Sequence, residues 1–311
     1  MKSVATHRIG LPFALLADAR SRAKSVGVTL HVRSALLLTI LFAGVWAAWI
    51  LELSPRAAFA NAEAWQLVGR FFSAAAAPAL YSESEFGNLL LPGLIEALRA
   101  TVVFAAAAMT LALVFGALLG VLASATWWRI VSEAVDARGF ALRSIPKVVA
   151  PALYVAARAL ITFMRSIHEL VWAILFLASL GLSNASAVIA IAIPYAGTLA
   201  KVFSELLDEA PRSSAEALRA AGASPLQTFA LGIVPRVLPD VAAYSFYRFE
   251  CALRSSVILG FFGYPTLGKL IAESFNELYF HETWSYLYAL IILVALMEWW
   301  SGTLRRHLTV A

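Results

Sequence analysis

Three charged residues fall inside one apolar stretch of the sequence: Arg248, Glu250 and Arg254. Charges in such surroundings are costly, so they mark either the path of a polar cargo or an ion pair between helices. On a helix, Glu250 and Arg254 stand four apart on one face and can pair, whereas Arg248 lies on another part of the circumference. Two readings fit. Arg254, together with Arg248, can lower the barrier for an anion while Glu250 keeps the site from holding it too tightly; alternatively the three form a structural network at a subunit interface. A second basic cluster, Arg165 and His168 with Glu169 beside them, can receive an anion or simply sit in the headgroup layer.

Other chemistry finds little support. The five histidines are scattered, and His168-Glu169 lacks the second histidine of a zinc-protease helix. The single cysteine, Cys251, excludes a disulfide or a cysteine metal cluster within the chain. Gly263 to Leu270 reads G-x-x-x-x-G-K-L, near a phosphate-binding loop, but Leu270 stands where a serine or threonine should meet magnesium, and an apolar helix precedes it in place of a strand. No metal, cofactor or catalytic residue is therefore expected of this chain.

The elements that hold these residues are set by an apolar solvent. Of 311 residues, 61% are hydrophobic and 14% charged, and the mean hydropathy is +0.79; a soluble domain has about half apolar and a quarter charged residues. A helix needs about 20 apolar residues to cross the hydrocarbon. Six such helices are expected, roughly over 35–53, 97–124, 148–164, 170–193, 241–262 and 284–304, in an all-α integral membrane protein. The third is interrupted by Arg158 and followed by a very short turn, which a hairpin would explain. Residues 54–96 form the longest outer loop, in which Phe86 to Leu94 suits a short interfacial helix. There is no internal repeat, and the only low-complexity run is the alanines at 74–77.

The net charge of +5 comes from basic residues between apolar segments and not from one patch, which argues against nucleic acid and for topology. With the N-terminus inside, sixteen lysines and arginines fall on inner segments and four on outer ones. Both termini are thus placed in the cytoplasm, with residues 1–34 as an uncleaved cytoplasmic arm and 35–311 as one transmembrane domain. Gly116 and Gly120 form a small-xxx-small pair that permits close packing, either within the bundle or between copies.

The fourth and fifth spans are joined by an inner loop over about 201–239 that reads as helical. Ser213-Ser214-Ala215-Glu216 has capping-box spacing, Gly222 stops that helix, and Ser224-Pro225 starts another. Two short helices about a glycine turn make a rigid knob.

Here the sequence resembles a known family. Glu216-Ala217-Leu218, Gly222 and Pro235 look like the EAA loop of binding-protein-dependent ABC permeases, although Leu218, Gly232 and Val234 depart from its usual residues. Arg165 to Ala173, Gly222-Ala223-Ser224 with Gln227, Tyr247-Arg248-Phe249-Glu250 and Arg254-Ser255-Ser256 resemble the phosphonate permeases, the PhnE-like family, in particular. Where that family shows a glycine-rich loop, this chain has Tyr264, Pro265 and Thr266.

The resemblance implies a type I importer permease with a MetI-like fold in the bacterial inner membrane. It would carry phosphonates or related oxyanions, with Glu216, Ala217, Gly222 and Pro235 in the ATPase-coupling loop. It also implies ATPase subunits that bind the ATP, a periplasmic binding protein and a second permease, identical or paralogous. Outside the resemblance, a membrane-embedded enzyme such as a lipid-modifying transferase, with Arg248, Glu250 and His168 as its polar site, and a secondary transporter remain as alternatives.

Overall fold

A computed structural model describes residues 34–53, 62–82, 88–138 and 144–310, which are helical almost throughout. The N-terminal arm, save Ser34, lies outside the described residues. The chain divides into two units after Gly69. In the first, α1 (Ser34–Ile50) is a short apolar helix. The helix α2 (Ala62–Ala74) runs across the division.

The second unit contains α3 (Leu91–Leu122), α4 (Ala125–Arg138), α5 (Ser144–Ser166), α6 (Glu169–Leu180), α7 (Asn184–Glu209), α8 (Ser213–Ala220), α9 (Pro225–Gly232), α10 (Val234–Leu259), α11 (Leu267–Asn276) and α12 (Phe280–Val310). Among the described residues, α3, α7 and α12 are each long and apolar enough to cross a membrane, and two bent helix pairs raise the number to five.

The expected third and fourth spans are partitioned differently. α5 runs through Arg158 unbroken, and the short turn expected before Leu170 is found at Ile167 and His168, where α5 meets α6 at 88°. The stretch expected as one span over 170–193 is itself divided at Gly181, whose φ of +69° suits glycine. Ser183 then opens α7 with a capping box, its side chain bonded to the Ser186 amide and the Ser186 side chain returning to the Ser183 amide. Turn residues mark this break, Gly181, Ser183 and Asn184, but the apolar helices on either side outweigh them in any average of hydropathy. Two smaller expectations are also corrected. Of the stretch Phe86 to Leu94, Phe86 and Gly87 lie outside the described residues, residues 88–90 are not helical, Tyr81 and Leu89 form an isolated antiparallel bridge, and α3 starts only at Leu91. Among the described residues of that connection, α2 is helical, earlier in the chain.

α7 is the spine of the second unit, packed by α3, α5, α6 and α10. Its contact with α3 is the most intimate because α3 turns small side chains toward it: Ala105, Ala108 and Ala112 are buried, followed by Gly116 and Gly120. A Cβ on Gly116 would stand 2.9 Å from the Leu199 Cβ and 3.2 Å from the Ala196 carbonyl; one on Gly120 would stand 3.0 Å from the Phe203 Cβ. The glycine pair therefore serves packing within the chain.

At the other end of α3, residues 70–82 are laced onto α12. Phe71 packs against Phe280 and Trp284, the Trp284 indole donates to the Phe71 carbonyl at 2.6 Å, and the Ser285 hydroxyl donates to the Ala79 carbonyl at 2.6 Å. Residues 260–268 tuck inward. Tyr264 is buried with its hydroxyl 2.7 Å from that of Ser186, and Thr101 of α3 accepts the Leu267 amide at 3.0 Å. Lys269 lies 3.6 Å from Glu273.

Gly116→Val should force α3 off α7 and cost about 1–3 kcal/mol, as overpacking does. A lower thermal midpoint of the purified chain in detergent would register it. Gly69→Ala, with open space at its Cβ, should leave the midpoint unchanged; equal effects of the two would refute the packing argument.

Candidate functional site

Two regions carry the residues singled out in the sequence. The first is the hairpin of α8 and α9. Residues 201–209 continue α7, so the connection proper begins at Ala210, and residues 234–239 already belong to α10. The capping box expected at Ser213 does not form. Arg212 holds the N-cap position in the helical region (φ −92°, ψ −7°) with no side-chain cap bond, whereas a box needs an extended N-cap residue. Ser214 instead accepts from the Arg236 guanidinium at 2.6 Å, tying α8 to α10. The box occurs one helix later, where Ser224 and Gln227 cap each other's amides ahead of Pro225.

The turn between the helices rests on Gly222, with φ at +85°. Their crossing rests on Gly232, whose missing Cβ would lie 2.8 Å from the Ala215 Cα. Beneath the hairpin, Ala215, Phe229, Ile233, Leu207, Val237 and Ile130 of α4 form a buried apolar cluster, with Trp127 edge-on to Phe229 at 5.1 Å. Arg219 forms an ion pair with Glu133 of α4. Glu216 lies in the first turn of α8, exposed, beside a cavity of about 520 Å³ that Glu133, Arg219, Gly222 and Thr228 also line. Ala217 is exposed, and Pro235 sits in the first turn of α10. The four residues picked from the sequence thus lie on one hairpin and the helix that leaves it, which is bent 53° from α9.

The second region is α10 above the hairpin. Glu250 is buried and forms an ion pair with Arg254, which is more than half exposed. Arg248 stands apart from that pair. Its Nε donates to the Tyr244 hydroxyl at 2.9 Å, and its guanidinium lies over the Tyr244 ring at 5.4 Å and the Tyr195 ring at 5.8 Å. The Tyr195 hydroxyl is 2.9 Å from the Ser255 hydroxyl, and Ser255 donates to Glu169 at 3.1 Å. Glu169 is 3.5 Å from His168, whose Nδ1 accepts the Leu170 amide and caps α6. Glu169 and Arg248 are thereby brought into one connected cluster through Tyr195, which the sequence does not single out, and Ser255, which it offers only within the Arg254-Ser255-Ser256 resemblance. Arg165 is exposed at the end of α5 and joins no ion pair among those found in the described residues.

A third polar junction was also missed. Asp208, in the last turn of α7, accepts from the Ser124 hydroxyl at 2.7 Å, the Thr126 amide at 2.9 Å and the Ala125 amide at 3.2 Å. Arg158 of α5 lies 3.7 Å from the same carboxylate and donates to the Ala123 carbonyl at 3.1 Å. The sequence signal was present, since Arg158 was the charge that seemed to interrupt a span.

A bundle of this kind, with a helical hairpin at one end and charges on the helix that leaves it, has the fold of ABC transporter permeases. The structure is similar to an inward-facing MetNI methionine ABC transporter, with a TM-score of 0.57 and 20% identity over 73% of this chain and 99% of that one. It is also similar to an amino acid ABC transporter, with a TM-score of 0.51 and 18% identity over 71% and 92%. Residues 147–308 match the binding-protein-dependent transport system inner membrane component family, and the chain belongs to that family.

Among relatives, the phosphite transport system permease protein PtxC of Stutzerimonas stutzeri is 31% identical over 50% of this chain and 57% of its own length. The phosphate-import permease protein PhnE of Mycolicibacterium smegmatis is 32% identical over 51% and 30%. The putative cryptic phosphonate transport system permease protein PhnE2 of Escherichia coli is 32% identical over 38% of this chain and 98% of that one. The chain spans about half the length of PtxC and less of the mycobacterial protein.

Gly222→Ala should cost about 1 kcal/mol, because an L-residue is strained at this φ. Gly232→Val should cost more, since it drives a side chain into the α8 backbone. Hydrogen exchange of the hairpin amides should rise in both variants while α3 and α7 stay protected; uniform loss of protection would show that the hairpin is not a separate packing unit.

Proposed function

We propose that this chain is the transmembrane permease subunit of an ATP-driven importer, carrying a small oxyanion of the phosphonate, phosphite or phosphate kind across the inner membrane. The observation that carries the reading is the hairpin. In a chain of this family, an end-on pair of short helices, braced by an apolar cluster and by the Arg219–Glu133 pair, is a lever on which a separate ATPase can push. ATP is bound by that partner; this chain supplies the lever and the path. Glu216 and Ala217 present the exposed surface, Gly222 sets the turn, and Pro235 opens the helix to which the motion passes.

The path is formed by α10. Arg254 is the exposed cation, and Glu250 both orients it and lowers the depth of the anion well. Arg248 is held sideways by two tyrosine rings, a position from which it adds field without trapping the cargo. Arg165, His168 and Glu169 stand at the α5–α6 elbow, where cargo delivered by a periplasmic binding protein would enter. Both termini lie in the cytoplasm, on the charge distribution of the sequence, and a second permease copy, identical or paralogous, completes the pore. The names of the relatives support the oxyanion class, as do the arginines on α10.

The chain purified in mild detergent with its cellular partners should bring down an ATPase subunit, and Glu216→Ala with Gly222→Pro should lose it. Absence of any ATPase with the unaltered chain would sink the permease reading and return the enzyme and secondary-transporter alternatives. In cells that depend on the transporter, Arg254→Gln should lower uptake of phosphite or methylphosphonate roughly tenfold with the ATPase still bound, a loss of order 1.4 kcal/mol. Undiminished uptake would remove Arg254 from the path.

A further inference from the structure

The hairpin alone cannot move the bundle unless something stiff connects it to helices other than α10. We propose that Asp208 is the positioning residue of that connection, the pin through which hairpin motion reaches α3 and α5. The inference rests on the permease reading above and adds a route of transmission to it.

The geometry is a closed triangle. α7 ends at Glu209 and hands over to the hairpin within a few residues, so Asp208 sits at the seam. Its carboxylate caps α4 from outside that helix, taking the amides of Ala125 and Thr126 and the hydroxyl of Ser124. Free amides at a helix start need acceptors, and an anion there also complements the helix dipole. α4 in turn reaches the hairpin by Glu133 to Arg219 and by Trp127 against Phe229. Each side of the triangle is thus fastened: α7 to hairpin by the chain, hairpin to α4 by an ion pair and an aromatic contact, α4 to α7 by Asp208.

Arg158 extends the pin to two further helices. From α5 it faces the Asp208 carboxylate and bonds the Ala123 carbonyl, an acceptor that the end of α3 leaves without an intrahelical donor. Ala123 and Ser124 are fully buried, while the Asp208 and Arg158 side chains that meet them are partly exposed. A displacement of the hairpin therefore carries α4, and with it the ends of α3 and α7 and the interior of α5 at Arg158, as one body. Without the pin, the hairpin would be held to α7 only by the apolar cluster that includes Leu207 and by the link at residues 210–212, and less of the displacement would reach α3 and α5.

The test uses the assembled complex, chain plus co-purified ATPase, in proteoliposomes with the binding protein. ATP hydrolysis is measured beside uptake of radiolabelled phosphite, phosphate and methylphosphonate, each separately. Asp208→Asn, Arg158→Met and Ser124→Ala form a series that removes progressively less of the junction. Asp208→Asn should bind the ATPase as the unaltered chain does and hydrolyse ATP within about twofold, while anion transported per ATP falls roughly tenfold, a typical size for coupling between sites. Arg158→Met should fall less and Ser124→Ala least. An unchanged ratio of transport to hydrolysis across the series would overturn the proposal. So would a parallel fall of yield, hydrolysis and uptake, which marks a merely structural role. Failure of the unaltered chain to bring down an ATPase would instead overturn the permease reading, so the two failures are distinguishable.

Discussion

The close approach of α3 and α7 is the contact on which the rest of the structure depends. In lipid there is no hydrophobic gain from bringing two apolar helices together, so association rests on van der Waals contact and hydrogen bonds. Ala105, Ala108, Ala112, Gly116 and Gly120 remove side-chain bulk along nearly the whole contact. Larger residues on α7, Leu199 and Phe203, fill the space thus made. The division of labour is asymmetric: α3 supplies the groove and α7 the ridge. With α7 so placed, α5, α6 and α10 can surround it on its remaining sides.

Hydrogen bonds then fix what packing leaves free to slide. Three polar anchors occur along α7: Ser186 to Tyr264, Tyr195 to Ser255, and Asp208 to the start of α4. At about 1.5 Å per residue they are spaced roughly 14 and 20 Å apart. They attach α7 in turn to the turn after α10, to the last part of α10 at Ser255 and to α4. Thr101 of α3 adds a fourth tie, accepting through its carbonyl from Ser256 and through its hydroxyl from Leu267. Each such group would be costly if left unpaired away from water, so each tie specifies register as well as contributing stability.

How much of this was legible beforehand depended on whether the signal was local. Helix content, the glycine turn at Gly222 and the Ser224-Pro225 start are written in neighbouring residues, and the sequence showed them. The expected box at Ser213 failed because Ser-x-x-Glu spacing says nothing about whether the preceding backbone is extended, and Arg212 is helical. The division at Gly181 was missed because hydropathy averages over it. Gly232 stood out only as a departure from the family's usual residue; its reason is the Ala215 backbone against it, a contact between two helices. The charged residues were found one by one, but their partners were not. Nothing in the sequence joins Glu169 to Ser255, or Arg158 to Asp208, since those pairings come from which helix faces which.

The same distinction bears on how the bundle can move. Where ties are dense, along α3, α7 and the last part of α10, a change of shape would break several buried hydrogen bonds at once. Where the helices bend, at the 88° elbow between α5 and α6 and the 53° elbow between α9 and α10, rotation about a few backbone bonds breaks far fewer. Interfaces of packed helices switch between discrete arrangements more readily than they deform continuously. The second elbow, between Gly232 and Pro235, lies toward the Asp208 end of the tied core, whereas the first lies beside the middle of α7, where Glu169 accepts from Ser255 and Met164 faces Gly197. A core tied along α7 and bent beside it at these two places can pass a push on one elbow toward the other. For the permease reading proposed above, that geometry matters more than any single charge on α10.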